Sequence, residues 1–244
     1  MPDLSIRLAD FDILIHARYE YVVHQCKDYL LPTPLTESTA DLTVAVSDRE
    51  LAEEKEKNPP HVREDYMESI CIYRAICRSI PPLGGLLLHG AVISDGTNGY
   101  AFTADSGVGK TTHVKLWQKA FGDEISIING DKPIIRKRDG KWYAYGTPWC
   151  GKTGQNLNLR APLAGIAILQ RAAENRITPY RGPEAICALL QQVARPKDPR
   201  LRSKALELLD ALMTRVPIWK LQCGMDPEAA RIAYRAMSGC GDGL

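Results

Sequence analysis

The sequence predicts an α/β chain with a small β-rich N-terminal part, and three observations carry that prediction. Residues 4 to 47 alternate apolar and polar side chains in short stretches, strand and helix patterns alternate from about residue 62 onward, and a glycine-rich loop joins one of those strands to one of those helices. The length of 244 residues, with 45% hydrophobic and 25% charged side chains, is that of a chain able to bury a sizeable core.

The elements follow in order. Leu4-Ser5-Ile6-Arg7-Leu8 and Leu42-Thr43-Val44-Ala45-Val46 carry the period of two that puts alternate side chains on one face of a strand, with Pro32 and Pro34 breaking the pattern between them. The charged run from Glu50 to Lys57 ends at Asn58-Pro59-Pro60 and reads as a solvated helix or linker, which sets the expected division into a part spanning 1–58 and a larger part spanning 59–244. From Val62 to Ile80, Met67, Ile70, Cys71, Ala75 and Ile76 recur at spacings of three and four, as on one face of a helix that Pro81-Pro82 stops. Leu86 to Leu88 and Ala91 to Ile93 flank His89-Gly90, and Asp95 to Gly99 turns the chain into Tyr100 to Thr103, so a β-hairpin is expected to lead into the glycine-rich loop.

Beyond the loop, a helix is expected over Thr112 to Phe121, a strand over Ile125 to Ile128, and a hairpin over Pro133 to Tyr145 turned by Arg138-Asp139-Gly140. A buried strand at Leu163 to Leu169, helices near Pro183 to Val193 and Arg200 to Met213, a strand at Pro217 to Leu221 and a helix at Pro227 to Met237 with Asp226 as its cap complete the reading.

Charge and cysteine usage narrow the function. Thirty-one basic residues against 29 acidic ones leave a net charge of +2, too weak a field to imply nucleic-acid binding. Seven cysteines without a C-x-x-C pair argue against a disulfide framework and against zinc, and suit a reducing cytoplasm. The N-terminus shows no basic-then-apolar leader and no long apolar run occurs, so neither export nor membrane insertion is expected.

Ala104-Asp105-Ser106-Gly107-Val108-Gly109-Lys110-Thr111 matches the G-x-x-x-x-G-K-[ST] phosphate loop everywhere but at its first position. Its glycines let successive backbone N–H groups face one centre at a helix N-terminus, Lys110 is placed to reach the β and γ phosphates of ATP, and Thr111 offers a hydroxyl to Mg²⁺. The residues expected to contact nucleotide are Asp105, Ser106, Gly107, Val108, Gly109, Lys110, Thr111 and Thr112. The alternative is a strand-to-helix turn that holds no ligand.

Leu88-His89-Gly90-Ala91, the Ser106 to Thr111 loop and Ile128-Asn129-Gly130-Asp131-Lys132 occur in that order. The stretch from His89 to about Gln170 thereby resembles the kinase domain of HPr kinase/phosphorylase, a family akin to ATP-dependent phosphoenolpyruvate carboxykinase. Gly146-Thr147-Pro148-Trp149-Cys150-Gly151-Lys152 and Thr111 to Trp117 are more similar to small HPr-kinase-like proteins encoded beside peptide-modification genes, some of which phosphorylate a ribosomally made peptide. The resemblance implies a P-loop kinase core, transfer of the γ-phosphate of ATP to a hydroxyl with Mg²⁺, a Ser or Thr of a peptide or protein as acceptor, and a homo-oligomeric state. Where the bifunctional enzymes have adjacent aspartates this chain has Gly130-Asp131, and their C-terminal phosphorolysis motif is not recognisable, which implies a one-way kinase.

On that resemblance Asp131 accepts the acceptor's proton and touches Mg²⁺, the alternative being a turn residue of Asn129-Gly130-Asp131. His89 stands near Asp131 as orienter, charge stabiliser or proton partner, or is a structural histidine. Lys152 is expected as a catalytic residue that delivers a cation to the developing charge, the alternative being an exposed loop lysine, and Arg171 is the other cation to watch. The Gly146 to Gly154 loop, with Lys152 and a stacking face on Trp149, is expected to move over a peptide acceptor. His113, one turn into the helix, is read as structural. Two competing readings stay open, a nucleotide-binding regulatory module without phosphoryl transfer and a carboxykinase-like enzyme.

Overall fold

The structure is a computed structural model and describes residues 2–151 and 154–239. The two N-terminal stretches of alternation form strands as expected, but the segment between them is in part helical. Strands β1 (Asp3–Leu8) and β2 (Phe11–His16) form an antiparallel hairpin in which Leu4 faces Ile15, Ile6 faces Ile13 and Leu8 faces Phe11, each at most 2% exposed. Such cross-strand apolar pairs fix the register, because a one-residue slip turns the whole set to solvent. Helix α1 (Glu20–Gln25) follows, and β3 (Leu42–Ala45) then lies parallel to β2.

The β1–β2 turn places Ala9 and Asp10 at φ values of 52° and 59°, a conformation that costs an L-residue about 1–2 kcal/mol. Contacts to the chain at Arg136 to Arg160 offset that cost. Asp10 Oδ2 accepts hydrogen bonds from Arg138 (2.5 Å), Arg160 (2.7 Å) and the Tyr145 hydroxyl (2.7 Å), and the Ala9 carbonyl accepts from Arg136 at 2.6 Å.

The charged run forms helix α2 (Asp48–Lys57), opened by a capping box in which Ser47 and Glu50 each bond the other's backbone N–H. One of its charges is not solvated. Glu54 is 3% exposed and ion-pairs with Arg74 of helix α3 (Glu64–Ser79). Helix α3 ends at Pro81-Pro82 as expected, but its buried face is Met67, Ile72, Ile76 and Cys77, with Ile70, Cys71 and Ala75 only half-buried. The rotation follows from packing against the N-terminal sheet. It carries Glu68 and Ser69 inside, where the Glu68 carboxylate accepts the backbone N–H groups of Arg18 (2.6 Å) and Tyr19 (3.2 Å) at the start of α1. One apolar cluster therefore joins the β1–β2 hairpin to α3 and reaches Ile134, Tyr145 and Trp149.

The larger sheet begins with β4 (Gly85–Leu87), β5 (Gly90–Ser94) and β6 (Gly99–Thr103), and helix α4 (Lys110–Phe121) leads to β7 (Ser126–Asn129). Then come the hairpin β8 (Ile134–Arg138) and β9 (Lys141–Tyr145), β10 (Arg160–Arg171), β11 (Arg176–Pro179), helices α5 (Gly182–Gln192) and α6 (Pro199–Arg215), β12 (Ile218–Cys223) and helix α7 (Glu228–Met237). Among the described residues the strands join in the order β4-β8-β9-β10-β6-β5-β7, with β12 between β10 and β11.

Strand β10 is longer than the Leu163 to Leu169 reading because it serves three neighbours, lying parallel to β6 over Leu163–Ile168. It pairs antiparallel with β9 over Arg160–Pro162 and parallel with β12 over Ile166–Arg171. The antiparallel strand β11 was not foreseen, since its four residues RITP carry no apolar alternation.

Both faces of the sheet are covered, which is why its central strands read as near-continuous apolar runs. Ile93, Tyr100 and Phe102 pack with Val114 and Trp117 of α4 and Ala229, Ala230 and Ala233 of α7. Val92, Ala101 and Ile166 pack with Leu189 of α5 and Leu209 and Leu212 of α6 on the opposite face. The protein is thus a mixed α/β fold. Among the described residues no helix is long and apolar enough to cross a membrane, and six described cysteines are free thiols.

Candidate functional site

Sheet direction selects the site. Strands β10 and β12 run parallel to β6, β5 is antiparallel to β6, and β7 is antiparallel to β5. The carboxyl ends of β6, β7, β10 and β12 therefore lie along one edge together with the start of β5. Ligands of open α/β sheets bind outside such an edge.

Residues Ala104 to Gly109 leave β6 there and enter α4. Gly107 and Gly109 have φ values of +81° and +131°, a region in which an L side chain is strained, so the loop can close only with glycine at both positions. Ala104, which stands where the motif has glycine, is not at positive φ and is buried at 2% exposure in the α4 core, so a side chain there is accommodated. The Lys110 ammonium folds back across the loop, donating to the carbonyls of Ala104 (2.7 Å) and Asp105 (3.4 Å). The Asp105 carboxylate accepts from Gln192 Nε2 at 2.8 Å. Thr111, the second residue of α4, is exposed, and Thr112 is half-buried beside it.

Asp131 stands two residues past the end of β7. Its Oδ1 lies 3.5 Å from His89 Nε2 and its Oδ2 lies 3.3 Å from Lys132 Nζ. Its carbonyl accepts from Gly90 N–H at 2.9 Å, and the His89 N–H donates to the Gln192 carbonyl at 2.7 Å. A β-carbon on Gly90 would sit 2.8 Å from the Phe102 carbonyl. The glycine of His89-Gly90 is thus required by the close approach of β5 to β6, which seats His89 against Asp131. Burial pushes the Asp131 carboxyl up, but the His89 hydrogen bond and the Lys132 charge outweigh it and hold the group below the ordinary carboxylate value. Burial also lowers Lys110, against the pull of Asp131 and with the push of Lys132, so the three charges share one neighbourhood.

The structure thus brings His89, Asp131 and Lys110 together. Lys152 lies outside the described residues. Arg171, at the carboxyl end of β10, donates to the carbonyls of Gly107 (2.5 Å) and Val108 (3.0 Å), so it braces the loop tip. His113 is structural. It is 2% exposed, its Nε2 accepts from Trp117 at 3.0 Å, and burial lowers its pKa to about 3.

The expected stacking face on Trp149 is corrected. That ring is 8% exposed, packs on Tyr73 and donates to Ser69 Oγ at 3.0 Å, so it anchors the loop to α3. Gly146 likewise serves close packing, since a β-carbon there would fall 1.9 Å from the Leu157 carbonyl. Gly151 is the loop residue at the site, against the Asp131 side chain.

Sequence reasoning missed Asn129, Lys132 and Gln192. The first two lie within two residues of Asp131, inside the motif quoted for it, whereas Gln192 arrives through the packing of α5, which no local pattern reports. Two cavities of about 500 Å³ each flank the loop, one against Asp105 and Gln192, the other against Gly109, Thr112 and Met225, with Arg171 lining both.

No family model matches the chain, and no curated protein matches it. Among solved structures the HPr(Ser) kinase/phosphatase from Coxiella burnetii is similar at 8% identity and a TM-score of 0.34, covering 63% of this chain and 95% of that one. A likeness of that size assigns neither family nor activity.

Proposed function

We propose that the protein is an ATP- and Mg²⁺-dependent kinase that transfers the γ-phosphate to a hydroxyl. One observation carries the reading. A glycine-shaped loop and helix N-terminus present Lys110 and Thr111 on the same sheet edge, and within electrostatic reach of, an ionised carboxylate paired with a histidine.

Phosphoryl transfer asks for positioning and charge neutralisation more than for covalent chemistry. The helix N-terminus offers N–H groups to phosphate oxygens, and Lys110 exchanges its loop carbonyls for the β and γ phosphates. Asp131 accepts the proton of the attacking hydroxyl as the new P–O bond forms and the bond to the β-phosphate oxygen breaks. Its ionised form at neutral pH is the one that can do so, and His89 orients it. The exposed Thr111 hydroxyl and the Asp131 carboxylate are the oxygen donors Mg²⁺ prefers, and the ion would neutralise phosphate charge there.

For the acceptor we propose a Ser or Thr of a peptide or protein, on the likeness of the Gly146 to Lys152 and Thr111 to Trp117 segments to proteins of peptide-modification clusters. Calorimetric titration with ATP and Mg²⁺ tests the nucleotide site, and absence of binding at millimolar nucleotide overturns it. Incubation with ATP and the peptide encoded nearest the gene, read by mass, tests the acceptor. Phosphorylation of a free metabolite with none on peptide overturns the acceptor alone.

A further inference from the structure

Asn129, the last residue of β7, is fully buried, and its amide is satisfied at both ends. Its Oδ1 accepts the backbone N–H groups of Asp131 (2.8 Å) and Lys132 (2.6 Å), while Nδ2 donates to the Thr147 carbonyl (2.9 Å) and hydroxyl oxygen (3.2 Å). That network fixes the amide orientation, because a flipped amide would set its NH₂ against two N–H donors. Thr147, also fully buried, donates its hydroxyl to the Lys132 carbonyl at 2.8 Å.

The chain on either side of the carboxylate is therefore held at four backbone points. Two N–H groups end on one side-chain oxygen, the Asp131 carbonyl is taken by Gly90 and the Lys132 carbonyl by Thr147. A buried polar network is justified energetically only when every member is satisfied, and here every member serves one turn.

We propose that Asn129, backed by Thr147, is the positioning residue that sets where the Asp131 carboxylate and the Lys132 ammonium stand. The assignment rests on the kinase reading for its consequence and on the hydrogen bonds for its mechanism. Asn129 touches neither nucleotide nor acceptor. It acts through the two N–H groups.

Three variants test it. Asn129→Ala removes all four contacts, Thr147→Val removes the hydroxyl at nearly constant volume, and Thr147→Ser restores it. Each is assayed for ADP affinity, for kcat of ATP-dependent transfer, and for amide hydrogen exchange at Asp131 and Lys132. The expected result is faster exchange confined to those amides in Asn129→Ala, and ADP affinity within about twofold of the parent. kcat falls by about 10²-fold, the scale of a displacement near 1 Å. Thr147→Val falls in the same direction, and Thr147→Ser recovers. Unchanged exchange at both amides in Asn129→Ala, or equal kcat in Thr147→Val and the parent, overturns the proposal. Loss of ADP affinity in step with kcat and melting temperature shows a merely structural residue and overturns it as well. A parent that binds no nucleotide and transfers no phosphate overturns the kinase reading, while the exchange result still decides whether Asn129 holds the turn.

Discussion

Gly151→Ala is a substitution whose effect can be sized from the structure. Gly151 has φ +70°, and a β-carbon there would lie 2.9 Å from Asp131 Cβ and 3.1 Å from both Cγ and Oδ2. Ordinary contact begins near 3.4 Å, so 3.4 − 2.9 leaves 0.5 Å to be found. The Asp131 backbone cannot yield it, being held by Asn129 and Gly90. The carboxylate must turn away from His89, or the 146–151 loop must lift. On the proposed kinase reading, a shift of 0.5 to 1 Å at Asp131 lowers kcat by about 10- to 10²-fold. The positive φ adds about 1–2 kcal/mol of strain, or about 2–8 °C in melting temperature for a chain of this size. kcat of ATP-dependent transfer and thermal unfolding report the two quantities separately, and ADP affinity by calorimetry shows whether the nucleotide loop is disturbed. Unchanged kcat with a lowered melting temperature would refute the claim that this contact governs the carboxylate.

Four further outcomes are expected. On the proposed kinase reading, Lys110→Ala removes the cation that would neutralise the β and γ phosphates and abolishes productive use of ATP with Mg²⁺, followed by calorimetry. Asp131→Asn keeps nucleotide binding and lowers turnover by about 10²-fold or more; equal turnover returns Asp131 to a turn role. His113 titrates near 6.5 when unfolded and near 3 when folded. The unfolded chain therefore binds the extra proton between those values, and stability falls as pH falls through that window by about 1.4 kcal/mol per unit; His113→Gln flattens that part of the stability profile. Asp10→Ala removes the acceptor shared by Arg138, Arg160 and Tyr145 and lowers unfolding free energy by about 1–2 kcal/mol, discounted for the solvent access of both arginines. Burial raises the Asp10 carboxyl, but Tyr145 and the two arginines outweigh it and lower it overall. Its stabilisation is thus present above about pH 4 and lost as pH falls further, which acid unfolding of the variant and parent compares.

Much of this chain was legible locally, because local rules governed it. The alternation of β1 and β3, the proline stop after α3, the Asp139-Gly140 turn and the glycines at positive φ in the Ala104 to Thr111 loop each follow from the conformational limits of a few adjacent residues. Pairing across distance was not legible. That β10 serves β9, β6 and β12, that α3 turns Ile72 rather than Ile70 inward, and that Trp149 anchors a loop instead of offering a face are settled by which surfaces meet, and no short window contains both. The same holds at the site. The motif sets Lys110 and Thr111 at the start of α4 by itself, whereas the approach of His89 to Asp131 depended on β5 running back along β6 with no room for a β-carbon at Gly90. The setting of Asp131 depended on a buried amide and a threonine 18 residues later, joined only when β7 and the 146–151 loop pack.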